Sequence, residues 1–215
     1  KPEYLAVAFD TGKTFRNEVY PDYKATRAKM PDDLRPQIER IRQLVDAFGF
    51  PRLEIEGYEA DDVLGSIARL AVQEGFGVKI ITGDRDLLQL VDDRIIVNLS
   101  GSKLSEAKDY TANDVTAYLG VPPHQVVDYK ALVGDKSDNI PGVPGIGEKT
   151  AIGLLTQFPT LDEIYSHLNE IKESVRTKLE ANRDLSYLSR DLARIHTDIS
   201  LSINFEQAHT GHINF

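Results

Sequence analysis

Residues 131–151 read ALVGDKSDNIPGVPGIGEKTA. Asp135 and Asp138 stand three apart, directly before a turn that carries Gly142, Gly145 and Gly147. Lys149 and Thr150 then open an apolar helical pattern. Three chemistries use such elements: a nucleotide-binding P-loop, a carboxylate metal site, and a grip on a nucleic-acid backbone. A P-loop needs G-x-x-x-x-G-K-[ST] directly after a strand. Gly142 and Gly147 have that separation, but Glu148 occupies the lysine position, and Lys149 and Thr150 come one residue late. The residues ahead of the turn contain Pro141 and Pro144 and make no strand. The P-loop reading therefore fails. A glycine turn between two helices lets another backbone come close. The amides of the new helix start can hold phosphate oxygens, and Lys149 adds charge. That arrangement grips duplex DNA without reading bases; a tight interhelical turn with no ligand is the plainer alternative.

The rest of the chain supplies the context. It has 215 residues and no cysteine, which excludes a disulfide framework and a thiolate metal site. It shows no signal-peptide pattern and no long apolar run, which points to a soluble cytoplasmic protein away from the membrane. The net charge of −9 argues against a nonspecific nucleic-acid binder. The average hides a basic stretch, however. From Lys13 to Arg42 the cations Lys13, Arg16, Lys24, Arg27, Lys29, Arg35, Arg40 and Arg42 outnumber the acids Glu18, Asp22, Asp32, Asp33 and Glu39.

YLAVAFD (4–10), RLEIEG (52–57), VKIITGD (78–84) and, more weakly, RIIVNLS (94–100) read as strands, the first of them buried. Between them, residues 33–48 place Leu34, Ile38, Ile41, Leu44, Val45 and Phe48 on one helical face. Residues 60–74 do the same with Val63, Ile67, Leu70 and Ala71. Strands alternating with helices imply a parallel sheet covered by helices, an α/β fold. Beyond Thr111 the pattern turns helical, with segments at 111–120, 124–134, 147–158, 160–168 and 183–196. We expect an α/β region over 1–125 and a helical region over 126–215. Residues 16–32 carry Pro21 and Pro31 and little apolar period, and read as an exposed loop or arch.

Four acidic groups occupy suggestive places. Asp10 ends the first strand. Glu59, Asp61 and Asp62 open the second helix. Asp84 and Asp86 follow a strand, and Asp135 and Asp138 follow a helix. The carboxyl ends of parallel strands share one edge of a sheet, where ligands bind, so these groups are expected to converge. Two carboxylates about 4 Å apart repel by about 4 kcal/mol at an effective dielectric near 20. A domain is stable by only about 5–15 kcal/mol, so convergence calls for cations. An all-oxygen donor set selects Mg²⁺ or Mn²⁺, and a large cluster suggests two or more ions, as in two-metal phosphodiester hydrolysis. Taken singly, acids in a first helical turn also suit the macrodipole, and an aspartate after a strand commonly forms a turn or cap. The metal reading rests on the groups jointly. His209 and His212 in HTGH lack a ligand partner nearby and read as an incidental tail. Tyr20 and Tyr23 flank Lys24 and suit either base stacking or packing.

AFDTGKTFRNEVYPDYKATRAKMPDDL, EGYEADDVLGSIA, ITGDRDLLQLV and YKALVGDKSDNIPGVPGIGEKTAIGLL together resemble the 5′ nuclease domain of bacterial DNA polymerase I, within the flap endonuclease superfamily. The resemblance covers nearly the whole chain. It implies a PIN-like α/β core, a helical arch and a helix-three-turn-helix DNA clamp. By motif it implies that Asp10, Glu59, Asp61, Asp62, Asp84, Asp86, Asp135 and Asp138 form the metal cluster. Lys24 and Arg27 correspond to arch-base cations that contact the scissile phosphate. Gly142, Gly145, Gly147, Lys149 and Thr150 correspond to the turn that holds duplex DNA, with K⁺ bound there. The implied reaction is hydrolysis of DNA at a 5′ flap or 5′ end, leaving a 5′-phosphate, in replication and repair. The implied setting is a monomer joined covalently to a polymerase domain in the bacterial cytoplasm, at the nucleoid. Family members also carry a strand with an aspartate in an I-D-G-N-like stretch ahead of the FD motif, and Lys1 falls after that point. Two other functions stay open on the sequence: a Toprim-like or haloacid-dehalogenase-like phosphoryl-transfer domain, and a DNA-binding fragment without chemistry.

Overall fold

The computed structural model describes residues 2–101 and 106–212. By compactness the chain divides into two units. One comprises Lys1–Tyr20, Arg27–Leu70 and His196–Phe215; the other comprises Pro21–Thr26 and Ala71–Ile195.

In the first unit, β1 (Val7–Ala8) pairs in parallel with β2 (Arg52–Leu53), Val7 opposite Arg52. The expected strand at 4–10 is thus present but short, and its residues are half-buried rather than buried. Its sheet has two strands among the described residues, so each has a single neighbour. The stretch expected to be an exposed loop from residue 16 begins instead inside a helix, α1 (Phe15–Val19), in which Arg16 is buried. The cause is an ion pair described below. Helix α2 (Leu34–Ala47) forms where the apolar period places it, yet none of its residues is buried. Leu34, Ile41, Leu44 and the adjoining Phe48 are 39–54% exposed. Helix α3 (Ala60–Gln73) buries Val63 and Ala68 completely, with Asp62 beside them.

In the second unit, β3 (Val78–Thr82) and β4 (Ile95–Leu99) pair in parallel, and β5 (Lys108–Tyr110) pairs antiparallel to β4. The sheet is therefore mixed, not wholly parallel as expected. A parallel return needs a crossover of about a dozen residues or more, and the link from Leu99 to Lys108 is shorter. Along β4, Ile95, Val97 and Leu99 are buried and alternate with half-buried residues, the period of a strand with one face on the core. The core continues through Leu87, Leu88, Val115, Leu132, Leu155 and Leu161, each almost wholly inaccessible.

The helices after β5 include one in each expected segment, and two more, Glu173–Ala181 and Phe205–Ala208, that were not expected. Helix α4 (Ala112–Leu119) starts at a Thr111–Asp114 capping box and ends at Gly120, whose φ is 78°. Then come α5 (Val126–Val133), α6 (Glu148–Gln157), α7 (Leu161–Ser166), α8 (Glu173–Ala181) and α9 (Arg183–Ala193). Helix α10 (Phe205–Ala208) belongs to the first unit. Helix α9 packs Ser186 and Ser189, both fully buried, toward its neighbours. Small hydroxylated residues let backbones approach and still satisfy polar groups: Ser189 Oγ accepts from the Gly142 amide at 3.0 Å and donates to Leu185 O at 2.7 Å.

The turn between α5 and α6 is held backbone to backbone. Asp135 and Ile140 exchange N–H···O bonds of 2.8 Å each, and Val143 N donates to Leu132 O at 2.8 Å. Gly134 and Gly142 both have positive φ, 76° and 64°. A Cβ on Gly142 would stand 2.3 Å from Gly134 N. Two requirements thus fix Gly142: left-handed backbone and direct chain contact. At Gly153 in α6, by contrast, an added methyl group would meet nothing within 4 Å. We expect Gly142→Ala to lower stability by about 2 kcal/mol or more in urea unfolding. Gly153→Ala should raise it by about 0.5–1 kcal/mol.

Candidate functional site

The acids of the first unit gather at the N-terminal end of α3. Asp10, exposed just after β1, accepts the Ala60 amide at 2.8 Å through Oδ1. Its carboxylate thus sits where the helix dipole favours negative charge. Glu59 precedes the helix and Asp61 lies half-buried in its first turn. Asp62 is fully buried. Arg16 meets it bidentately, Nη1 to Oδ2 at 2.6 Å and Nη2 to Oδ1 at 2.7 Å. The Glu59 amide donates to Asp62 Oδ2 at 3.1 Å and the His196 amide to Oδ1 at 2.9 Å. Arg16 Nη1 also lies 3.8 Å from Glu59 Oε2. This fork explains why Arg16 is buried: only a paired guanidinium is tolerated beside an inaccessible carboxylate.

The acids of the second unit form two groups. Asp84 follows β3, and its Oδ1 accepts the Asp86 amide at 2.9 Å. Asp86 is buried and touches Lys130 Nζ, which also donates to Asp135 Oδ2 at 2.6 Å. Asp135 Oδ1 accepts from Ser137 N at 2.8 Å and Ser137 Oγ at 2.6 Å. Asp84, Asp86, Lys130, Asp135 and Ser137 line one cavity of about 530 Å³. Burial pushes the Asp86 carboxyl up to about 6, with Lys130 opposing and Asp84 and Asp135 adding to the rise. At Asp135 burial also pushes upward, but Lys130 and Ser137 more than reverse it and hold the carboxyl at about 2. Burial pulls Lys130 down, and Asp86 and Asp135 outweigh it, so the ammonium is raised above an ordinary lysine.

The second group joins residues 21–26 to the loop after α5. Asp138 is buried; its Oδ2 accepts from Tyr23 OH at 3.1 Å and lies 3.6 Å from Lys24 Nζ. Lys24 N donates to Asp138 O at 2.9 Å, and Asn139 Nδ2 donates to Asp22 O at 2.7 Å. Lys24 and Asn139 adopt left-handed φ of 57° and 58° to make these contacts. Tyr23 is 4% exposed, so it packs rather than offering a ring for stacking. Arg27 is exposed.

At the glycine turn, Gly145, Gly147 and Lys149 are exposed and Thr150 is half-buried, while Gly142 is buried with its amide given to Ser189. The part Gly142 plays is therefore conformational. Lys178 Nζ donates to Gly145 O at 2.9 Å.

Some of the acids lie near one another within each unit: Asp10, Glu59 and Asp62 at one helix start, and Asp84, Asp86 and Asp135 at one cavity. Among the described residues no group of three or more His, Cys, Asp or Glu side chains is placed to hold a metal ion in common. Cations of the chain stand among them instead. Arg16 and Lys130 escaped the sequence reading. Asp62 lies 46 residues from Arg16 and Asp86 lies 44 from Lys130, separations that no local pattern signals. The one hint was a lysine between the buried Tyr129 and Ala131.

The architecture is a mixed α/β fold with a small parallel sheet flanked by helices, followed by a SAM-like helical region. Residues 1–120 match the family described as 5′-3′ exonuclease, N-terminal resolvase-like domain, and residues 121–215 match its C-terminal SAM fold. The chain belongs to the 5′-3′ exonuclease family. It is 48% identical, over 98% of its length, to the DNA polymerase I of Caldicellulosiruptor bescii. It is 44% identical, over 96%, to that of Bacillus caldotenax. It spans about a quarter of the length of the curated relatives it matches, 25% and 24% of these two. Among solved structures it is similar to the T5 5′-exonuclease with bound zinc, at 28% identity and a TM-score of 0.71, over 88% of this chain and 73% of that one. A bacteriophage T5 flap endonuclease in complex with DNA and metal ions is similar at 28% identity and a TM-score of 0.74, over 89% and 74%. No helix among the described residues is long and apolar enough to cross a membrane.

The Arg16–Asp62 pair yields a double-mutant test. Removing one partner strands a buried charge, and Arg16→Met should destabilise the protein by about 3–5 kcal/mol. Arg16→Met with Asp62→Leu should recover part of that loss in the same urea titration, less the cost of the Glu59 and His196 amides that lose their acceptor.

Proposed function

We propose that this chain is a structure-selective 5′-3′ exonuclease and 5′-flap endonuclease of DNA, dependent on Mg²⁺ or Mn²⁺, and the nuclease part of a DNA polymerase I. The observation that carries the reading is the cavity of Asp84, Asp86 and Asp135, in a chain of the 5′-3′ exonuclease family. Structures similar to it were crystallised with divalent metal ions and with DNA. Its donors suit the same use. All are carboxylate oxygens, which select hard cations. The space between Asp86 and Asp135 already accepts a cation, the Lys130 ammonium. Burial keeps the Asp86 carboxyl high at about 6 even so, with Asp84 and Asp135 adding to the rise. Mg²⁺ keeps several waters and needs only one or two protein carboxylates, so this pair is enough for one ion.

Asp84, Asp86, Asp135 and Asp138 in one unit, and Asp10, Glu59, Asp61 and Asp62 in the other, are the residues we assign to two or more ions. When bound, such ions neutralise a phosphodiester and make a water nucleophilic. Lys24 and Arg27 supply cationic contacts to the phosphate. Lys24 is suited to this, since its ammonium lies at the longer distance of 3.6 Å from Asp138 and is partly exposed. Gly147 leaves the approach to α6 open, Gly145 lies against the Lys178 side chain, and Lys149 and Thr150 follow with a charge and a hydroxyl, for a duplex backbone and a K⁺ ion. The substrate is DNA with a 5′ flap or 5′ end at a junction, in replication and repair in a bacterial cytoplasm. The protein acts as a monomer with its polymerase domain attached.

A labelled 5′-flap oligonucleotide should be cut in Mg²⁺ and left intact in EDTA. Asp84→Asn and Asp135→Asn should each lose more than the roughly 10–100-fold that outer-shell changes cost. Full cutting by both variants would falsify the assignment. Tight flap binding in Ca²⁺ with no cutting in Mg²⁺ would leave a DNA-binding fragment without chemistry.

A further inference from the structure

Lys130 is in an unusual position for a lysine. Its side chain is 12% exposed, between Asp86 and Asp135 at 13% and 18%. It extends from α5 among Tyr129, Ala131 and Leu132, all buried. A lysine is rarely so enclosed unless it is paired. Here it is paired twice, and both partners belong to the set we assign to metal. One ammonium thus fills the place between two carboxylates that a divalent ion would fill.

We propose that Lys130 is a tethered stand-in cation: its ammonium neutralises Asp86 and Asp135 in the metal-free protein, and a divalent ion must displace it to bind. The inference rests on the metal dependence proposed above and adds to it a competitor within the chain itself.

The geometry favours exchange over permanent pairing. Lys130 bonds Asp135 through Oδ2, whereas Ser137 N and Oγ hold Oδ1. Asp135 therefore keeps its place when the lysine leaves. The backbone of Asp86 is anchored as well, its amide donating to Asp84 Oδ1 at 2.9 Å. Asp135 and the Asp86 main chain thus keep their place without Lys130. A lysine also suits the role better than an arginine. It is a compact point charge on a flexible stem, with no planar fork to lock it onto a carboxylate. The adjoining cavity of about 530 Å³ gives that stem room to move.

The consequence is quantitative. Metal binds only the fraction of molecules whose lysine has swung away, and the apparent dissociation constant rises by the reciprocal of that fraction. Lys130 thus sets a threshold concentration for metal loading, and keeps the buried acids neutralised below it.

Calorimetric titration of Mn²⁺ into the whole protein, without DNA, tests the inference. Lys130→Met should bind Mn²⁺ at least about tenfold more tightly than wild type. Lys130→Arg, which keeps the charge and adds a fork that locks onto carboxylates, should bind Mn²⁺ no more tightly than wild type. If wild type binds Mn²⁺ and Lys130→Met binds it equally or more weakly, the stand-in role is overturned while metal dependence survives. If neither wild type nor variant binds, or if Asp86→Asn and Asp135→Asn leave binding unchanged, both ideas fall. Should Lys130→Met not fold, the wild type alone decides. The ¹⁵Nζ resonance of Lys130 should show a restrained ammonium in EDTA and merge with those of free lysines as Mg²⁺ is added. A resonance that stays restrained at saturating Mg²⁺ overturns the proposal.

Discussion

Buried carboxylates have to be neutralised, and this chain does so with its own cations, one to each acidic group. Lys130 serves Asp86 and Asp135, Arg16 serves Asp62, and Lys24 lies by Asp138. Side-chain cations are tethered and cannot reach a buried acid by bulk attraction. They must be placed by the fold. Each pairing therefore fixes a long-range contact: α1 to the start of α3, α5 to the turn after β3, and residues 21–26 to the loop after α5. The acids that read as chemistry in the sequence are also the points through which each unit holds its segments in register.

The backbone places the acids, and charge comes second. Helix α5 ends at Gly134, and the exchange of bonds between Asp135 and Ile140 folds the next residues back. That reversal carries Asp135 to Lys130, five residues before it, a pairing that continued helix would not present, since helical neighbours lie three or four apart. It needs Gly134 and Gly142 in left-handed conformation and in mutual contact, and it needs Ser189 to take the Gly142 amide. The glycine turn that reads as a ligand grip is thus first a device that orients a carboxylate. Its outward part, Gly145 to Thr150, remains available for another use.

What the sequence made legible follows from how far each signal reaches. Strand positions, the helices from residue 111 onward and the acidic groups at their ends are local patterns, and the structure places them where the residues imply. Thr111 with Asp114 and Gly120 bounded α4 because caps act within a turn of helix. The antiparallel β5 was missed because its three residues carry no apolar alternation. Helix α2 was found from its period, but period says which residues share a face and not whether that face is covered: Leu34, Ile41 and Leu44 are exposed. The resemblance to the 5′ nuclease domain carried the family and nearly every candidate ligand. It did not carry Arg16 and Lys130, whose importance lies in contacts that only coordinates display.

The two kinds of cation separate the acids by how readily they can change partner. A carboxylate offers about four acceptor directions. At Asp62 all are taken, two by the Arg16 fork and two by the Glu59 and His196 amides. Freeing it means breaking a bidentate charge pair in a site closed to water, where a stranded guanidinium is costly. At Asp86 and Asp135 the cation is a single ammonium at the wall of an open cavity, and one carboxylate oxygen of Asp135 is already secured by Ser137. Displacing that ammonium exposes it to water and leaves the frame standing. Between the two pairings, Asp86 and Asp135 can therefore exchange their cation more readily than Asp62 can. Carboxylates that look alike in the sequence thus form a fixed structural tie in one unit and, on the proposal above, an exchangeable site in the other.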